Sequence, residues 1–230
     1  MSESLIMPKA ERVSDTLTVY QQKGVFSFGT DAILLADYVS EQLPASFSGR
    51  VCDLCSGTGI LSLVLCDRFP ALSAEAVELN PEAAALSMRS AAESGLSERF
   101  QVHTADIKDI RTLYPCEAFD LVVCNPPYMR ADSGKMCAHP MLTLARHEVA
   151  CTIHDAFAAA FYLLRTGGHA YFVYRTDRLS SLMRAASDNR FEIKDMRFIK
   201  LRPGSDVCDL VVCRAKKNAA EGMTLSCRSL

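Results

Sequence analysis

The sequence predicts a doubly wound α/β fold, a mostly parallel sheet of seven strands preceded by a short N-terminal hairpin and helix. Three observations carry that reading. From Arg50 onward, short apolar runs alternate with longer amphipathic segments, the order of a chain that winds strand, helix, strand. The runs are too short and too uniformly apolar for helices. Leu121-Val122-Val123-Cys124 has no helical period and suits a strand covered on both faces. Finally, no repeat or Pro/Gly/Ser-rich linker divides the 230 residues, a length that one domain accommodates.

Residues 1–15 are polar and irregular and are expected to form a flexible arm. Residues 17–20 and 24–28, joined by Gln21-Gln22-Lys23, predict a small hairpin. Thr30 then caps a helix that runs past Asp37 and breaks over residues 44–49. Residues 51–54 form the first strand of the main sheet, and the turn over 55–59 leads into a helix over 60–67. Residues 73–79 are the second strand. Asn80 caps the next helix and Pro81 takes its first position, where no N–H is required, while Gly95 suits its C-terminal end. Residues 100–104 and 119–124 are the third and fourth strands. Residues 129–146 lack any period and predict a long loop, a length more often functional than not. Thr152 with Asp155 has the spacing of a capping box for a helix to Arg165, which Gly167-Gly168 stops. Strands over 169–174, 191–199 and 207–213, with a helix over 177–186, complete the sheet. The folded domain is therefore placed at residues 16–217, followed by a disordered tail over 218–230.

Composition narrows the function. With 49% hydrophobic and 23% charged residues, the chain can bury a sizeable core. No apolar run reaches the length of a membrane span and the N-terminal stretch has no signal-type apolar segment, which predicts a soluble, cytoplasmic protein. Its ten cysteines are then expected to stay reduced and to pack as small apolar side chains. Cys52 and Cys55 form a lone C-x-x-C; a zinc or redox site would need a second thiol pair or a redox fold. The five histidines show no ligand spacing, so no metal is expected. The net charge of −2 is unevenly spread: residues 1–164 carry 12 Lys/Arg against 20 Asp/Glu (−8), and residues 165–230 carry 13 against 7 (+6). Such a split marks either a surface that faces nucleic acid or merely solvated helix faces.

Candidate functional residues cluster where predicted strands end. In Asp53-Leu54-Cys55-Ser56-Gly57-Thr58-Gly59, Gly57 and Gly59 permit a tight turn and a close approach of ligand to backbone. Glu78 ends the next strand, where a carboxylate can accept two ribose hydroxyls. A nicotinamide-binding fold would show the same outline, but Ser62 stands where the third glycine of that fingerprint belongs. Asp106 follows the third strand and is placed to accept from an adenine amino group. The fourth strand stops at Asn125-Pro126-Pro127-Tyr128, where two fixed φ angles and two missing N–H donors forbid both helix and further ladder. Ligands of open α/β sheets bind at that edge.

Taken in order, Phe28-Gly29-Thr30-Asp31, the turn from Asp53 to Gly59, Glu78-Leu79-Asn80-Pro81, Asp106 and Asn125-Pro126-Pro127-Tyr128 resemble the class I methyltransferases that use S-adenosylmethionine (SAM) to modify exocyclic amines. With Ala145-Arg146-His147-Glu148 and Arg202-Pro203-Gly204 added, the chain is most similar to the bacterial tRNA(Val) adenine-N6 methyltransferase family, over roughly residues 15 to 217. The resemblance implies a Rossmann-like fold, SAM as cofactor and tRNA as substrate. It implies that Phe28, Thr30 and Asp31 border the methionine part of SAM. Asp53, Cys55, Gly57 and Gly59 would wrap its carboxylate and ribose, and Glu78 and Asp106 would hold ribose and adenine. Asn125, Pro126 and Tyr128 would carry the chemistry, with Pro127, Arg146 and His147 as substrate contacts. Lys200 and Arg202 are expected to meet substrate phosphates on other grounds: both belong to the basic C-terminal half, and alternation puts them on one side of an extended segment. One departure is Cys55, where the class usually has glycine; a cysteine there is expected to keep φ below zero.

Three rivals share parts of this pattern. Release-factor glutamine methyltransferases also use Asn-Pro-Pro-Tyr, because a side-chain amide is likewise planar and weakly nucleophilic. They normally carry a helical domain before the SAM turn, whereas 52 residues precede Asp53 here. DNA or ribosomal RNA amine methyltransferases read the same amine on another polymer. A non-catalytic RNA-binding protein on the same fold would have no need of an intact Asn125 and Tyr128.

Overall fold

The computed structural model describes residues 7–22, 29–127 and 151–230. Its centre is an eight-stranded sheet built from β3 (Arg50–Leu54), β4 (Ser73–Glu78), β5 (Phe100–Thr104), β6 (Phe119–Cys124), β7 (Leu164–Arg175), β8 (Phe191–Lys200), β9 (Leu210–Lys217) and β10 (Thr224–Ser229). The strand order is β10-β8-β9-β7-β6-β3-β4-β5. Strands β3 to β7 are mutually parallel and β9 alone runs against its neighbours, so β8 and β10 point the same way as β6. The order reverses at β3, flanked by β4 and β6, which is the switch point where an open α/β sheet leaves a crevice.

Side chains alternate across each strand and build two cores. On one face, α1 (Thr30–Gln42) and α2 (Ile60–Arg68) pack on Val51, Leu121, Val123, Tyr171 and Val212. On the other, α5 (Ile153–Leu163) and α6 (Leu179–Asp188) cover Cys52, Val122, Cys124, Phe172 and Cys213. The helix α3 (Pro81–Glu93) opens as its sequence predicts, with Asn80 Oδ1 accepting from the amides of Glu82 and Ala83. The short α4 (Ile110–Leu113) follows β5, and the predicted capping box of α5 is present: Thr152 Oγ1 accepts from Asp155 N while Asp155 Oδ2 accepts from Thr152 N.

Several expectations need correction. The N-terminal hairpin is β1 (Lys9–Arg12) with β2 (Thr18–Gln21), antiparallel, so part of the expected flexible arm is a strand. The strand expected over 24–28 lies outside the described residues. Residues 17–21 find their partner upstream instead, across a turn in which Ser14 Oγ accepts from the amides of Thr16 and Leu17. Gly29 is the N-cap of α1, and Thr30 is its first residue. The expected disordered tail includes β10, an eighth strand whose six residues are all exposed. Its polar Thr-Leu-Ser-Cys-Arg-Ser pattern reads as solvent-facing chain because it is an edge strand, held through its ladder to residues 195–200 of β8. At the other side of β8, the strand expected over 207–213 is shifted to Leu210–Lys217.

Candidate active site

The turn after β3 is held by its own carboxylates. Asp53, 1% exposed, accepts at Oδ2 from both Ser62 N (3.3 Å) and Ser62 Oγ (2.6 Å), tying the end of β3 to the first turn of α2. Ser62, which argued against a dinucleotide, thus has a structural partner nine residues upstream. Burial pushes the Asp53 carboxyl up to about 7 even though the two Ser62 bonds oppose the rise. Gly59, at φ +77°, could not carry a side chain: a Cβ would stand 2.8 Å from Ser87 Cβ and 3.2 Å from Phe100 Cζ. Cys55 contradicts the expectation of negative φ. It sits at +57°, in the left-handed region that glycine would occupy without strain.

Glu78 faces this turn from β4. Its Oε2 accepts from Gly57 N at 2.7 Å and its Oε1 from Asn80 N at 2.8 Å, so the carboxylate braces the turn and the cap of α3 together. Burial raises its pKa, and the amide bonds oppose that. Ala105 N donates to Glu78 O, which sets Asp106 beside Glu78 at the next strand end. Asp106 Oδ1 accepts from Lys108 N, capping a short 3-10 turn.

One cleft brings the β3 turn and Asn125 together, and neither Glu78 nor Asp106 is part of its lining. Ala32, Asp53, Cys55, Ser56, Gly57, Thr58, Ile60, Leu61 and Asn125 line it. Ala32 brings the first turn of α1, with Thr30 and Asp31, to its edge. Three buried oxygens in the cleft have no protein partner: Ser56 Oγ, Thr58 Oγ1 and Asn125 Oδ1. A buried polar atom without a partner costs free energy, on the order of 1–3 kcal/mol each, so a ligand that supplies hydrogen-bonding groups is favoured here. This fits the charged methionyl end and ribose of SAM against the β3 turn. The Ser56 and Thr58 hydroxyls were not singled out from sequence; both fall inside the Gly-rich turn, which was the available signal.

Other predicted positions stand apart. Lys200 and Arg202 lie at the same edge as Asn125, but β8 is three strands from β6, about 14 Å at ordinary strand spacing. Arg202 is paired with Asp209 at 3.4 Å, and Arg197 is paired with Glu41 at 2.6 Å. Pro126 and Pro127 directly follow Asn125, with Pro126 buried. Phe28, Tyr128, Arg146, His147 and the loop over 129–146 lie outside the described residues. Among the described residues no three His, Cys, Asp or Glu side chains are grouped to hold a metal ion, and no helix is long and apolar enough to cross a membrane.

A mostly parallel sheet with a Gly-rich turn after β3, a carboxylate ending β4 and an Asn-Pro-Pro turn after β6 defines the class as a SAM-dependent methyltransferase of Rossmann-like fold. Comparison narrows this further: residues 16–191 match the methyltransferase small domain family, and the chain belongs to it. Among curated relatives, the tRNA1(Val) (adenine(37)-N6)-methyltransferase of Porphyromonas gingivalis is 30% identical over 177 residues, covering 76% of this chain and 69% of that protein. The protein of the same name from Aeromonas hydrophila is 34% identical over 161 residues, covering 70% of this chain and 64% of its own length. A solved structure of a predicted O-methyltransferase from Agrobacterium tumefaciens superposes with a TM-score of 0.67 at 22% identity, covering 87% of this chain and 86% of that one, which shows the shared fold.

Proposed function

We propose that the chain transfers the methyl group of SAM to the exocyclic N6 amine of an adenine in tRNA, at adenine 37 of tRNA(Val), as the names of its relatives state for those proteins. The observation that carries this reading is Asn125 Oδ1, buried and unpartnered in the same cleft as the cofactor turn. An acceptor left free in that place asks for an N–H donor, and the amine of adenine has two.

An exocyclic amine on a purine is a weak nucleophile because its lone pair is delocalised into the ring. Asn125 Oδ1 accepts one N–H and the Pro126 carbonyl the other, which pulls the nitrogen toward tetrahedral geometry and aims its lone pair. SAM supplies an activated methyl group on a sulfonium leaving group, so positioning carries much of the rate and no strong base is required. The proton departs to solvent or a nearby acceptor. Tyr128 offers its ring to the base once it is turned out of its stack, and Pro127 keeps the turn rigid. Ser56, Thr58 and the amides of the β3 turn hold the methionyl end of SAM, with Thr30 and Asp31 at the edge of the cleft. Glu78 holds the ribose hydroxyls and Asp106 the adenine amine. Arg146, His147, Lys200 and Arg202 contact tRNA phosphates.

The test is methylation of tRNA(Val) transcripts with labelled SAM, one transcript unaltered and one carrying guanine at position 37. The reading predicts N6-methyladenosine in the first and none in the second. Equal labelling of both transcripts contradicts the choice of base.

A further inference from the structure

Three thiols that are distant in the chain meet beside the cofactor cleft, which Cys55 lines. Cys55 lies in the SAM turn, Cys124 is the last residue of β6 and precedes Asn125, and Cys151 stands immediately before the N-cap of α5. Cys55 Sγ and Cys151 Sγ are 3.7 Å apart across 96 residues of chain, and the Cys55 thiol also touches that of Cys124. Cys151 is part-exposed, and its Sγ lies 3.6 Å from the Thr152 carbonyl at the surface. The amine-transfer chemistry uses none of these sulfurs.

We propose that Cys55 and Cys151 form a redox modification site for two-electron oxidants such as hydrogen peroxide, and that the resulting disulfide weakens cofactor binding. The step balances with the peroxide as oxidant. One thiol attacks a peroxide oxygen and becomes a sulfenic acid with release of one water. The second thiol then displaces hydroxide from that sulfur, giving the disulfide and a second water.

Closing the pair to bonding distance, about 2 Å, requires the sulfurs to approach by roughly 1.7 Å. Cys151 cannot supply much of that movement, because the Thr152–Asp155 capping box holds its neighbour at the start of α5 through bonds of 2.8 and 3.2 Å. The motion therefore falls on Cys55. That residue already occupies a left-handed conformation, at φ +57°, and is two residues from the Gly57 amide that Glu78 holds. Displacing it disturbs the Gly57–Glu78 bond and the placement of Ser56. Contact with Cys124 and burial hold the Cys55 thiol well above the ordinary range, and contact with Cys55 and burial do the same for Cys151. Each thiol therefore carries little thiolate at neutral pH, so the oxidation is slow and needs sustained exposure to peroxide.

The experiment treats the full chain with hydrogen peroxide, then measures S-adenosylhomocysteine binding by calorimetry and maps disulfides by peptide mass spectrometry. It reads the cofactor cleft alone, so its outcome is independent of which polymer is methylated. The expected result is a Cys55–Cys151 link, at least a tenfold loss of affinity, and recovery with dithiothreitol. Cys151→Ser should bind as the reduced wild type does and keep that affinity after peroxide. A Cys55–Cys124 link alone, a Cys55–Cys151 link with unchanged affinity, or equal loss in Cys151→Ser would each overturn the proposal.

Discussion

The two ends of the ligand edge differ in how they treat polar groups. At β3 and β6 the turns keep three buried oxygens without a protein partner, on Ser56, Thr58 and Asn125, while Asp53 and Glu78 spend their own bonds holding the turns in shape. At β8 and β10 the reverse holds. Arg197 and Arg228 both pair with Glu41, and Arg202 pairs with Asp209, whose other oxygen also accepts from Leu201 N. The basic excess of the C-terminal half is thus partly neutralised within the molecule. The difference teaches that strong local demand for a ligand sits at the cofactor cleft, and that net charge by itself is a poor guide to where a substrate touches. Any phosphate that reaches Arg202 must compete with Asp209 for it.

That comparison can be broken most forcefully at Asn125. Asn125→Ala removes the free acceptor from the cleft but no ligand of the cofactor turn. Methyl transfer should fall by on the order of a hundredfold or more, while S-adenosylhomocysteine affinity measured by calorimetry stays within a few-fold. Loss of both together would mean that Asn125 builds the cofactor site instead.

Asp53 sharpens the same contrast through pH. Its folded pKa of about 7 lies above the ordinary carboxylate value of 3.8, so between those values the folded chain holds a proton that the unfolded chain has released. Stability from this group is therefore greatest at low pH and is lost as pH rises through 7. From pH 5 to pH 8 the loss should be roughly 2–3 kcal/mol. Asp53→Asn should flatten that part of the profile in denaturant titrations. An unchanged slope would show that the group is ionised throughout and stabilised by Ser62.

At the next strand end, Glu78→Ala should weaken S-adenosylhomocysteine binding by about tenfold or more, the scale of a lost charge-assisted acceptor. Glu78→Gln, which keeps one acceptor, should fall between the two. Wild-type affinity in the alanine variant would reduce Glu78 to a brace for Gly57.

The smallest effect belongs to the other end of the edge. Lys200→Ala with Arg202→Ala should lower the salt slope of tRNA binding by roughly one unit or less per contact. Because Arg202 already has Asp209, its share should be the lesser. An unaltered slope would remove this segment from the tRNA face and leave the rest of the account standing.

Much of this was legible in the sequence, for identifiable reasons. Buried parallel strands leave uninterrupted apolar runs, so β3, β4, β5 and β6 were found nearly to the residue. Asn80-Pro81 and Thr152/Asp155 declare helix starts because capping chemistry is local. The Gly-rich turn, Glu78 and Asn125 were placed at strand ends, where the structure has them, because short apolar runs mark where each strand stops. What escaped reading depended on groups far apart in the chain. The partner of β2 is upstream, the ladder of β10 is made with β8, and the Cys55–Cys151 contact spans 96 residues. Left-handed Cys55 also escaped, since sterics alone favour negative φ for a cysteine and only the surrounding turn overrides that preference.

The central claim is that the free acceptor at Asn125 serves the amine of an adenine in tRNA. Its most direct measurement gives the enzyme a tRNA(Val) transcript and a release factor in parallel, with the same labelled SAM, salt and time. The account predicts label in the transcript, recovered as N6-methyladenosine, and none on the protein. Label on a glutamine of the release factor, with none on the transcript, would contradict it.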